Sequence, residues 1–304
     1  MKLPSKSTFC NPVFRWFAIG IAIGMAMSAS SKSRAETFEG LDVKVTGKGS
    51  PMVFIPGLNS ASEVFTETCD AVKKEHTCHL LQLPGFAGQP SLESANSDFL
   101  NTMRDSVIHY IDSKKLKHVA LVGHSLGGTL SLMIAIKAPQ LVDKLVIIDA
   151  LPFYAAVQNP ATTADAMRPV AASIRNAMKE QAQDAYRQSA VNNLQGMTNN
   201  PARMPTLIKW LDGSDRNTTA QAMYDMMTTD LRQPIAAIQQ PILVLGAWAA
   251  YKQYGSTKES TKAVYAAQYA QAKNVTVEMA DTSYHFISWD EPQWLVEQIR
   301  TFTK

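Results

Sequence analysis

In the run LVGHSLGGTL, residues 121 to 130, a serine stands between two glycines where an apolar stretch gives way to helical spacing. Val119, Ala120, Leu121 and Val122 read as a short buried strand, while Leu126, Leu130, Met133 and Ile134 recur as one face of a helix. The turn at Ser125 is therefore tight, and only small residues fit two positions either side of it. Gly123 and Gly127 occupy those positions. A serine hydroxyl is a poor nucleophile at neutral pH, but held clear of the backbone beside a base it can attack a carbonyl carbon. Six histidines could be that base. His76, His79, His109 and His118 fall in helix and strand stretches, and His124, next to the serine, reads as a packing residue. His285 lies in the loop after the last strand.

These residues need a scaffold, and the order of elements supplies one. Strands are expected at Pro51 to Ile55, Cys78 to Leu83, Val119 to Val122, Leu145 to Ile148, Ile242 to Leu245 and Val275 to Met279. Helices over Ser62 to Lys74, Asp98 to Asp112 and the stretch after Ser125 alternate with them. Asp290-Glu291-Pro292 opens a last helix with an acidic cap and an early proline. Strands apolar throughout that alternate with helices imply an α/β fold, a mostly parallel sheet covered on both faces. Between Leu151 and Gln240 no strand is evident, and seven of the 14 methionines fall there. Amphipathic stretches such as Ala171 to Gln188 suggest an inserted helical cap. The expected organisation is 36–150 and 238–304 as two parts of one core, with 151–237 as the cap.

Residues 1–35 read as a secretory signal peptide. Lys2, Lys6 and Arg15 precede an uncharged run from Trp16 to Ser31, and Ser33-Arg34-Ala35 suits signal peptidase, with Ala29 as an earlier site. The run is short for a membrane anchor, so a secreted or periplasmic protein without stable membrane insertion is expected. Of the 29 basic residues five lie in this segment, which has no acidic residue; the remainder carries 24 basic against 26 acidic side chains. With no basic cluster left, a nucleic-acid partner is not expected. Cys69 and Cys78 have no metal-site spacing, and a disulfide and two buried thiols both remain open.

The elbow Gly123-His124-Ser125-Leu126-Gly127 within its strand and helix resembles the nucleophile elbow of the α/β-hydrolase superfamily. "VFIPGLNS", "LQLPGFAG" and "DTSYHFISWDEP" resemble, in turn, its oxyanion segment, the next strand and loop, and its histidine loop. The resemblance covers roughly residues 40 to 150 and 238 to 304. It implies a serine hydrolase with a helical lid, acting on an ester or related acyl bond of a small, mainly uncharged substrate without metal or organic cofactor. It also implies an oxyanion hole from the backbone N–H groups of Leu58 and Leu126, and Ser125 and His285 as nucleophile and base. The third member is harder to find, because "LGAWAAYKQYG" after the penultimate strand has no carboxylate. Some relatives carry the acid one strand earlier, where this chain has Asp149, while Asp281, Asp215 and Asp230 remain alternatives. A non-catalytic binding protein, an acyltransferase or a cofactor-free haloperoxidase could share the scaffold.

Overall fold

The computed structural model describes residues 34–304; the signal-peptide reading falls almost wholly outside them. One eight-stranded sheet forms the centre: β1 (Arg34–Phe38), β2 (Leu41–Gly47), β3 (Ser50–Ile55), β4 (His76–Gln82), β5 (Val119–His124), β6 (Val142–Ile148), β7 (Ile242–Gly246) and β8 (Val275–Met279). Their spatial order is β1-β2-β4-β3-β5-β6-β7-β8. The pairings β1–β2 and β2–β4 are antiparallel, and the rest are parallel. The first hairpin is absent from the sequence-based expectation although its pattern is present: Leu41, Val43 and Val45 alternate with Asp42, Lys44 and Thr46, the period-two signature of a half-buried strand.

The central strands are buried on both faces. On β3, Val53 and Ile55 join one apolar cluster while Met52 and Phe54 join the other, and β5, β6 and β7 alternate in the same way. Helices α1 (Thr66–Val72), α2 (Phe99–Ser113) and α3 (Leu126–Lys137) cover these faces. Parallel register then levels the strand ends: Ile55 pairs with Gly123, His124 with Ile148, Ile148 with Leu245, and Gly246 with Met279. The loops that leave these strands therefore emerge along one edge, where ligands of such sheets bind.

Between β6 and β7 lie α4 (Ala164–Glu180), α5 (Gln183–Leu194), α6 (Met204–Asp212) and α7 (Arg216–Thr228), with no strand. The continuous helical stretch expected over Ala171 to Gln188 is instead interrupted at Gln181 and Ala182, both extended. The Arg216 guanidinium donates to the carbonyls of Met178 and Gln181 there, satisfying the end of α4. After β7 come α8 (Lys258–Gln268), α9 (Ile287–Asp290) and α10 (Pro292–Thr303). None of the described helices is long and apolar enough to cross a membrane. Cys69 and Cys78 are buried free thiols, with Cys78 Sγ 3.7 Å from the Cys69 carbonyl oxygen.

Asp225 of α7 fastens this helix to the core. Its Oδ2 accepts from the N–H groups of Phe99 (2.7 Å) and Leu100 (3.2 Å) at the start of α2. Burial outweighs these bonds and pushes its pKa up to about 6. Because the folded value lies above that of the unfolded chain, the associated stability is complete in acid and is lost as pH rises through about 6. Urea unfolding from pH 4 to pH 7 should show wild type losing up to about 3 kcal/mol relative to Asp225→Asn, which cannot ionise.

Candidate active site

The elbow is built as its glycines require. A Cβ on Gly123 would be driven into the Gly127 carbonyl, and one on Gly127 into the Ile55 carbonyl. Ser125 itself has φ 53° and ψ −120°, a conformation a non-glycine residue holds only under tight constraint. Its N–H donates to Ile148 O at 2.9 Å, while its carbonyl accepts from Gly128 and Thr129 in the first turn of α3. Around it everything from Val119 to Leu130 is buried, and Ser125 alone is partly exposed.

Beside the serine lies the loop after β3. A Cβ on Gly57 would stand 3.1 Å from Ser125 Cβ. The N–H groups of Leu58, in that loop, and of Leu126, at the start of α3, form no hydrogen bond among the described residues. Both remain able to donate to an anion, and a helix start favours one. Asn59, at φ 56°, accepts from Thr219 Oγ1 of α7 at 2.6 Å, so the inserted segment braces this loop.

His285 and Asp149 meet. Nδ1 of His285 lies 2.6 Å from Asp149 Oδ2. An ionised carboxylate only accepts, so Nδ1 carries the proton and Nε2 presents its lone pair. Asp149 comes directly after β6 at φ 45°, with its N–H donating to Leu245 O at 2.7 Å. Its Oδ1 accepts from the Ala247 N–H (2.8 Å) and the Tyr265 hydroxyl (2.5 Å). The alternative acids are engaged elsewhere. Asp281 pairs with Lys258, Asp215 caps α7 through Thr218, and Asp230 pairs with Arg232.

Two features of the histidine loop escape the sequence reading. His124 is more than a packing residue: its Nε2–H donates to the His285 carbonyl at 3.0 Å, with the rings 4.4 Å apart. Burial, then His285 itself, holds its pKa well below the ordinary histidine value, so it stays neutral. No sequence signal links two residues so far apart. Glu291 does not cap α10 with its side chain, contrary to the expected acidic cap. It turns back onto the loop, where Oε1 accepts from the N–H groups of Thr282 (2.6 Å) and Ser283 (2.8 Å) and from both hydroxyls. Asp290 likewise accepts from Tyr284 N–H at 2.8 Å and from Thr198 of the inserted segment at 2.5 Å.

Among the described residues, no group of three or more His, Cys, Asp or Glu side chains is placed to hold a metal ion. A cleft of about 620 Å³ lies elsewhere, lined by Ala156, Asp230, Arg232, Val264 and Gln268 among others, and none of the Ser125, His285 and Asp149 group borders it.

Comparison with known proteins agrees with the architecture. A family model described as alpha/beta hydrolase fold matches residues 50–292. The biotin biosynthesis bifunctional protein BioHC of Cellvibrio japonicus is 24% identical over 255 residues, 83% of this chain and 47% of that protein. A pimeloyl-(acyl-carrier protein) methyl ester esterase of Vibrio atlanticus is 25% identical over 116 residues, 38% of this chain and 42% of its own. The chain thus spans less than half the length of these curated relatives. An esterase from Exiguobacterium antarcticum superposes with a TM-score of 0.70 at 16% identity, covering 86% of this chain and 94% of its own, a likeness of fold.

The clamp on the histidine loop can be tested directly. Glu291→Ala leaves the fully buried Ser283 without its acceptor, which should cost about 1–3 kcal/mol in urea unfolding at neutral pH. Burial raises the Glu291 pKa, but the Thr282, Ser283 and Asp281 donors outweigh it and the net value is lowered. The gap between wild type and variant should therefore be full above the ordinary carboxylate range and narrow as pH falls through it.

Proposed function

The chain belongs to the α/β-hydrolase family, and from that premise we propose that it is a serine hydrolase cleaving an ester or related acyl bond of a small, mainly uncharged substrate. The observation that carries this reading is the 2.6 Å bond from His285 Nδ1 to Asp149, at the same sheet edge as the strained serine elbow. Ser125 Oγ attacks the carbonyl carbon as His285 Nε2 takes its proton. The N–H groups of Leu58 and Leu126 receive the oxyanion, aimed before charge develops. The tetrahedral intermediate collapses, and His285 returns the proton to the leaving group. Water then repeats the sequence on the acyl-enzyme. Asp149 holds the ring in the right tautomer and balances the imidazolium. Esterase names among the relatives favour an oxygen ester over other acyl bonds.

The helices between β6 and β7 serve in this reading as a lid, braced against the loops bearing Leu58 and His285. Secretion to the periplasm or beyond belongs to the same proposal and rests on residues 1–35 of the sequence. N-terminal sequencing of the exported protein should find Glu36, or Ser30 if the earlier site is cut; an intact Met1 would overturn it.

Labelling with a fluorophosphonate, then assay with acyl esters of graded chain length, tests the enzyme. Wild type should label and turn over esters. Ser125→Ala and His285→Ala should each lose on the order of 10⁶ in kcat, with the double variant little worse. Asp149→Asn should lose about 10³ to 10⁴ with KM little changed. An unlabelled wild type would instead mark a binding protein on the same scaffold.

A further inference from the structure

Asp149 directly follows β6, two strands away from β8, whose C-terminal loop carries His285, with β7 between. Its carboxylate must stay aligned across that distance. The side chains that hydrogen-bond to it are those of His285 and Tyr265, and the remaining donor is the Ala247 backbone just after β7. We infer that Tyr265 is a positioning residue for the Ser125–His285–Asp149 unit, acting through Asp149. This inference rests on the reading of the chain as a serine hydrolase.

The geometry is specific. Tyr265 lies on α8, which packs against β8, and its ring rests on Gly246, where an added Cβ would come within 3.0 Å of Cε2. Its hydroxyl stands 2.5 Å from Asp149 Oδ1, the oxygen that His285 does not use. Two donors on one oxygen and one on the other fix both torsions of the aspartate. A carboxylate with a single donor on Oδ1 can rotate away from the imidazole. Tyr265 is only 6% exposed, so water has little access with which to replace the phenol. Burial, then the charge of Asp149, raises its pKa well above the ordinary tyrosine value, and it remains a donor throughout the working range.

One turn on, at the C-terminal end of α8, stands a natural control. Tyr269 is also buried and also donates a hydrogen bond to the segment after β6, but to the Ala150 carbonyl at 2.9 Å. A tyrosine that merely glues α8 to the sheet and one that aims the acid therefore differ by a single residue in their target.

The experiment compares Tyr265→Phe, Tyr269→Phe, Asp149→Asn and the Asp149→Asn/Tyr265→Phe double variant, with active serine titrated by fluorophosphonate. Tyr265→Phe should lower kcat roughly ten- to a hundredfold with KM unchanged, the scale expected when reacting groups lose alignment. Tyr269→Phe should lose stability but keep kcat within about twofold. In the Asp149→Asn background, Tyr265→Phe should cost nothing further, because the group it aims is already gone. Equal kcat in the two single tyrosine variants, or a full additional loss in the double variant, would overturn the inference. If Asp149→Asn itself keeps full activity, the reading of the acid fails; if it loses activity while Tyr265→Phe does not, only the role given to Tyr265 fails.

Discussion

A partly buried carboxylate keeps one orientation only where donors converge on it. Asp149 satisfies that condition with three, from the loop after β8, the end of β7 and helix α8. None is its sequence neighbour. The residue can hold His285 only if β6, β7 and β8 keep register and α8 keeps its seat, so the alignment of three strands and a helix is expressed at one side chain. The apolar alternation of β6 and β7 into two separate clusters is what holds that register.

The histidine loop obeys the same logic from the other side. Residues 281–286 contain no regular secondary structure, and their backbone groups need partners. Glu291 takes those of Asp281, Thr282 and Ser283, Asp290 that of Tyr284, and the Met197 carbonyl that of Phe286. His124 takes the carbonyl of His285. Every one of these contacts is internal to the chain, which is how a loop can place a ring as firmly as a helix does.

Much of this is legible in the chain. The central strands announce themselves by unbroken apolar runs, and the elbow by glycines two residues either side of Ser125. Asp149, which the structure places against His285, is singled out in the sequence through the carboxylate that "LGAWAAYKQYG" lacks as much as through its own position. The features that escape do so for different physical reasons. The β1–β2 hairpin alternates polar and apolar residues, so it carries a weaker signal than a buried run. Glu291 has the composition of a helix cap and spends its side chain on a loop eight to ten residues back. His124, Tyr265 and Thr219 act on partners more than a hundred residues away, and spacing along the chain is blind to such pairs until the sheet brings them together.

The ties between the helices inserted after β6 and the two loops of the site bear on how this protein can be altered. Thr219 holds Asn59, Thr198 holds Asp290, and Asn199 donates to the Thr282 carbonyl at 2.8 Å. The helical segment is thus a structural partner of both the loop after β3 and the histidine loop. Exchanging it wholesale for another helical module, to admit a different molecule, would release both loops at once. A transplant that keeps residues 197–199 and Thr219 in place, and varies only the helical surfaces between them, preserves those joints.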